Sequence, residues 1–268
     1  MKSLIDKTYK GFMDAVENFA NCSTETPIRK QKKNINNTSI RKPEYSYQCD
    51  NYIDAALSNP LVNKALCKIA DKYYGSQIRE IIKNDINLNE QNFPRLWANY
   101  QHCCKKLNIY SHPIYITNKL TGINALSAQI DNKQLILISF NATIKLNDAE
   151  QRFILGHELG HIQCGHLAAH TIQGLLYDLN KRSEIFGDAL SDLVDMPLFR
   201  WYRTSEFTAD RAGFLCCNDL SVVNILFNKI GNHVQTSPYG ELKELSEAYP
   251  NLKQRLNELN KFSIHVLN

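Results

Sequence analysis

The sequence predicts an α+β fold, mainly helical, with a small antiparallel β-meander beside one long helix. Three observations carry that expectation. Outside a polar stretch at 21–50, apolar residues recur at helical spacing up to about residue 107, the pattern alternates in short runs between 113 and 140, and helical spacing then returns. A chain of 268 residues can form one full-sized domain plus an appendage.

Residues 4–19 place Ile5, Tyr9, Phe12, Val16 and Phe19 on one helical face, so residues 1–20 are expected to form an amphipathic helix. From 21 to 50 the chain is polar and basic, with RKQKKNINNTSIRKP at its centre, and reads as a flexible linker. The main domain is assigned to 51–268. Residues 51–83 and 91–107 read as helices, the first broken around Tyr74-Gly75 and the second capped by Asn89 or Asn92. Residues 113–117, 123–130 and 134–140 are strand-like, and the turn segments between them make an antiparallel meander the simplest topology. Asn147 and Glu150 form a capping box that opens the next helix, whose apolar stripe runs through Phe153, Ile154, Ile162 and Leu167. Residues 175–201 are helical in pattern but mixed in polarity, with Pro197 expected to break them. Helices near 205–231 and 239–261 complete the domain.

Composition excludes several function classes. Hydrophobic residues make up 43% and charged residues 22%, as in soluble globular proteins. The net charge of +4 comes without a run of Lys/Arg interleaved with aromatics, so no nucleic-acid partner is expected. No segment approaches the ~20 continuous apolar residues of a membrane span. The first 20 residues scatter their charges and lack an apolar h-region, so a cytoplasmic location is expected, with secretion by a non-classical route left open. The eight cysteines form no C-x-x-C pair and read as free, mostly buried thiols.

The segment that carries chemistry is Gly156-His157-Glu158-Leu159-Gly160-His161. At 100° per residue, His157 and His161 lie roughly 40° apart on one helix face, one turn from each other. Two imidazole nitrogens can there bind one zinc, the expected cofactor, at one ion per chain. Glu158 is placed to act as general base on a zinc-activated water that attacks a carbonyl. H-E-x-x-H arises by chance in on the order of one chain in a hundred of this length, so a third ligand from another helix is needed to support it. A third histidine six residues after the second would be the metzincin scheme, but Cys164 and Leu167 occupy its Gly and His positions. Glu206 meets the alternative, and Asp210, four residues on and on the same face, can accept the second imidazole N–H of His157. Phe207, Ala209, Ala212, Gly213 and Phe214 make this segment too apolar for a plain solvated helix.

His166 falls about 180° from His157 on an extended helix and is read as structural, and His170, at about 140°, is a weak candidate for the same ion. The oxyanion helper that such hydrolysis needs is left open among Tyr249, Arg255 and His233. The N-terminal helix can pack on the domain, bind a partner protein or lie on a membrane surface.

GHELGHIQCGH (156–166), RTSEFTADRAG (203–213) and the order of elements around them resemble the HtpX-like and CAAX prenyl protease-type zinc metallopeptidases, a gluzincin group, over about 52–260. The resemblance implies a zincin-type domain, a zinc metalloendopeptidase and a protein or peptide substrate. It also implies an Asn-Ala at the edge strand, here Asn124 and Ala125, and a substrate peptide paired along residues 123–130. Membrane members of that group carry transmembrane helices. The intervening segment here holds Asp178, Asn180, Lys181, Arg182, Glu184, Asp188 and Asp192, too polar to span, so a soluble member is expected. Tyr249 stands where the group often has His. The alternative reading is a catalytically latent or inactive zinc-binding module docking on a protein partner.

Overall fold

Two helices packed backbone to backbone and a four-stranded sheet beside them organise the chain. A computed structural model describes residues 43–47, 60–167, 170, 197–235 and 252–267, all within the unit Lys42–Asn268. In chain order the elements are α1 (Pro60–Asn84), β1 (Ile86–Asn87), α2 (Pro94–Leu107), β2 (Ile114–Thr117), β3 (Ala125–Ile130), β4 (Lys133–Ser139), α3 (Phe140–Lys145), α4 (Asp148–Gln163), α5 (Pro197–Cys217), α6 (Leu220–Gln235) and α7 (Leu252–Leu267). The fold is thus α+β and mainly helical. None of these helices is long and apolar enough to cross a membrane. The expected helix at 1–20 and most of the 175–201 segment lie outside the described residues.

The sheet is mixed, in the order β1-β2-β4-β3. This corrects the expected all-antiparallel meander: β2 pairs with β4 in parallel, Ile114 opposite Ile136 and Thr117 opposite Ser139. The reason lies in β4. Leu135, Ile136, Leu137 and Ile138 are all buried, so both faces of this strand are covered and it takes a central position. The β3–β4 hairpin turns at Asp131 and Asn132, both at positive φ (48° and 61°), the geometry that lets two residues join antiparallel strands. Residues 118–124, too long for such a turn, carry the chain from β2 past β4 to the outer position. Among the described residues β3 is therefore a sheet edge with one side unpaired.

Three other boundaries differ from the sequence reading. Helix α1 runs unbroken through Gly75, which sits inside it. Asn89 and Asn92 do not cap α2; they bond each other's backbone in the preceding turn, and Phe93 precedes Pro94 without a side-chain cap. Pro197 opens α5, as suits a residue whose missing N–H costs nothing in a first turn, and the residues before it lie outside the described ones. The expected helix over 205–231 is two helices, because Asn218 takes a left-handed φ of 54° and Asp219 caps the N–H of Ser221 at 2.8 Å.

Residues 43–47, assigned to the linker, pack on the domain instead. Tyr45 is buried and its hydroxyl donates to Gln163 Oε1 at 2.6 Å, while the Tyr47 N–H donates to Thr208 Oγ1 at 3.0 Å. Aromatic side chains explain the difference: Tyr47 lies against Phe207 and under the Arg211 guanidinium, contacts that a charge-based reading of this stretch overlooks.

Candidate metal centre

Helix α4 is set in place from its first turn. Asn147 Oδ1 accepts the Glu150 N–H at 3.0 Å and Glu150 Oε2 accepts the Asn147 N–H at 2.9 Å, a complete capping box. The other oxygen of the fully buried Glu150 accepts from Lys229 of α6 at 2.6 Å. The next residue, Gln151, accepts from Asn99 of α2 at 2.9 Å and donates to the carbonyls of Thr143 and Leu146. The start of the helix is thereby tied to three neighbours.

Its second half crosses α5 at glycine distance. A Cβ on Gly156 would lie 2.7 Å from Cys216 Sγ, and one on Gly213 of α5 would lie 2.7 Å from the Phe153 carbonyl oxygen. Small residues on both helices let the backbones approach far enough for short side chains to meet. His157 and His161 project from this crossing towards Glu206 and Asp210 on α5.

The Nε2 atoms of His157 and His161 are 3.0 Å apart. Glu206 Oε2 is 3.7 Å from His157 Nε2, and Oε1 is 3.5 Å from His161 Nε2. Two ligands of a tetrahedral zinc at ~2.0–2.1 Å are separated by about 3.3 Å, so this triangle suits one ion in both size and donor chemistry. His157 Nδ1 meets Asp210 Oδ1 at 3.0 Å. Arg255 of α7 donates to the same carboxylate twice, Nε to Oδ2 at 2.8 Å and Nη2 to Oδ1 at 2.6 Å, and lies 3.4 Å from Glu206 Oε2.

Burial shapes the charges. It would lower the His157 pKa, but the hydrogen bond to Asp210 and the negative charges of Glu206 and Asp210 outweigh it and hold the ring above its ordinary value. Burial also works to raise Asp210, yet Arg255 and the His157 bond keep this carboxyl below its usual range. His161 is pushed well down by burial and by His170, His157 and His166 around it. His170 is lowered to about 3, chiefly by burial, against the pull of Glu206. Burial raises Glu158, opposed by His157 and by hydrogen bonds from Ser127 of β3.

Sequence-predicted residues thus divide. His157, His161, Glu206 and Asp210 come together, with Glu158 buried beside them and bonded to the edge strand instead of the cluster. Arg255 reaches the site, where it binds Asp210 through two nitrogens and lies beside Glu206 through a third. Tyr249 and the side chain of His233 lie outside the described residues. Asn124 and Ala125 line an open cleft of about 640 Å³ with His157, Glu158 and Phe227. The Asn124 backbone is already engaged, its carbonyl accepting from the Ser139 N–H at 2.9 Å and its N–H donating to Ser139 Oγ at 3.1 Å. Antiparallel alternation from that pair turns the peptide groups of Ala125, Ser127 and Gln129 to the open edge. Ser127 was missed in the sequence, where a serine in a strand carries no distinguishing signal. His166 and His170 were set aside on helical angles, yet both pack against His161. The angles do not apply, because α4 ends at Gln163.

Two histidines a turn apart, an intervening glutamate and a carboxylate from a second helix make up the ligand-and-base arrangement of helical metallopeptidases. Residues 90–263 match peptidase family M48, and the chain belongs to that family. The matched span starts later than the residue 52 expected from sequence. Over 125 residues the chain is 30% identical to a protein of Arabidopsis thaliana named plastoglobule-localized metallopeptidase 48, chloroplastic, covering 46% of this chain and 36% of that protein. The chain therefore spans about a third of the length of this curated relative. Neither comparison separates the HtpX-like and CAAX prenyl protease-type group from the rest of the family.

Proposed function

We propose that the protein is a zinc-dependent metalloendopeptidase, with His157, His161 and Glu206 as metal ligands and Glu158 as general base. The observation that carries this reading is the convergence of two imidazole Nε2 atoms and a carboxylate at 3.0–3.7 Å, with a fourth side chain, Glu158, buried beside them and held off the cluster. A structural zinc site has no use for that extra carboxylate. Bound zinc would supply Lewis-acid polarisation of the scissile carbonyl and make water acidic enough to be deprotonated near neutral pH.

The chain's own residues supply the rest. The outward peptide groups of Ala125 and Gln129, with the Ser127 carbonyl between them, offer an extended peptide a strand to pair with, so main-chain bonds would set its register. Ser127 holds Glu158 at that same strand, which brings the base alongside a peptide bound there. Glu158 takes the proton of the attacking water and returns it to the departing amine. Its raised affinity for a proton, a consequence of burial, suits a group that must both accept and donate. Asp210 orients His157, and Arg255 orients Asp210.

The test is zinc content and cleavage of a mixed-peptide library for wild type and Glu158→Gln in parallel. Metal in both, with cleavage lost only in the variant, is the expected result. Equal cleavage by the two proteins would remove Glu158 from its role.

A further inference from the structure

We propose that His166 is a positioning residue for the metal centre: its Nδ1 accepts the Nδ1–H of His161 and so keeps His161 Nε2 bare towards the metal. The inference rests on the zinc reading above and extends it to a residue outside the ligand set.

The placement of His166 comes from how α4 ends. Gly165 takes a left-handed φ of +72°, its N–H donates to the Ile162 carbonyl at 3.2 Å, and the His166 N–H donates to the His161 carbonyl at 2.9 Å. These are the two reversed hydrogen bonds of a Schellman cap, which folds the second residue past the helix back over the last turn. In most such caps that residue makes a hydrophobic contact with the helix. Here the two positions are both histidine, and their Nδ1 atoms are 3.1 Å apart, with each residue only 4% exposed.

Proton positions then follow from chemistry. One nitrogen of an Nδ1···Nδ1 pair must donate and the other accept. His161 Nε2 faces His157 Nε2 and Glu206, so as a ligand it carries no proton, and in the neutral ring the proton sits on Nδ1. His166 Nδ1 is the acceptor. It would do for His161 what Asp210 does for His157, since ligating histidines characteristically give their second N–H to an acceptor that fixes tautomer and ring angle. The His166 ring is itself braced, edge-on to Trp201 at 5.2 Å and stacked with His170 at 6.0 Å between centroids.

Three full-length variants test this. His166→Asn keeps an acceptor near the Nδ1 position. His166→Phe keeps the ring without one, and His166→Gln moves the amide one bond away and serves if Phe does not fold. Zinc affinity is measured by chelator competition, and the visible spectrum of the Co²⁺-substituted protein reports ligand geometry. Phe and Gln are expected to bind zinc about 10–100-fold more weakly with an altered Co²⁺ spectrum, the usual cost of losing such a partner, while Asn stays near wild type in both. Wild-type affinity in Phe or Gln, or equal losses in all three, would overturn the proposal. So would a second zinc per chain that is lost in both His166→Phe and His170→Ala, because His161, His166 and His170 also lie close enough to hold an ion and His166 would then be a ligand. Wild-type protein that takes up no zinc would sink the zinc reading as well, which separates that failure from failure of the role of His166.

Discussion

A methyl group on Gly160 would lie 2.7 Å from the Cβ of Ala212 and 3.1 Å from the Cα of Ala209. Neither neighbour has a flexible end that can move aside. The missing side chain at Gly160 is therefore what allows α4 and α5 to cross so closely that a short carboxylate on one reaches two imidazoles on the other. Gly160→Ala is expected to cost about 1–3 kcal/mol by overpacking. A thermal melt should fall by roughly 2–4 °C for each kcal/mol in a chain of this size. Zinc affinity should drop as well, because the helices must separate. An unchanged melt with unchanged metal content would show that the crossing has slack.

Glu206 is the only carboxylate on α5 within 4 Å of both ligand histidines among the described residues. Glu206→Ala should abolish tight zinc binding, leaving two ligands where a catalytic site needs three. The variant also removes a partner of Arg255, which keeps its two bonds to Asp210, so the fold should survive. Metal analysis after dialysis against a weak chelator, alongside circular dichroism, separates the two effects. A full zinc complement would remove Glu206 from the ligand set.

Parts of this site were legible in the sequence for a physical reason. The capping box at Asn147 and Glu150, the 40° offset of His157 from His161 and the four-residue spacing of Glu206 and Asp210 are all local, and helical geometry is regular enough to carry them from sequence to space. What escaped was set by chain reversals and long-range partners. The position of His166 depends on one left-handed glycine, which converts a helical angle into a contact. The parallel pairing of β2 with β4 depends on burial of both faces of β4. Ser127 becomes notable only once the edge strand meets Glu158.

Asp210 offers a graded test of how far the orientation of His157 matters. Asp210→Asn keeps shape and one acceptor oxygen but gives up the charge that Arg255 and His157 share. Zinc affinity should fall by about 10–100-fold. Asp210→Ala should fall further and lose stability, because it leaves the Arg255 guanidinium, mostly buried, with its main partner removed. Chelator competition on both variants checks the order. Affinities equal to wild type would mean that the 3.0 Å contact does not steer the ring.

If the His–His–Glu cluster holds zinc, metal and stability must be linked, because a site built from three helical positions on two separate helices exists only in the folded chain. Binding to the folded form alone adds RT ln(1 + [L]/Kd), about 2.7 kcal/mol when free zinc is 100 times Kd. Chelation should therefore lower the melting temperature of wild type by several degrees. Glu206→Ala, with no tight site to empty, should melt at the same temperature with or without chelator. The control that gives the comparison its force is Glu158→Gln. That substitution leaves the ligands intact, so its melting temperature should respond to chelator as wild type does even though it cleaves nothing. A chelator effect equal in all three proteins would place the ion elsewhere in the chain.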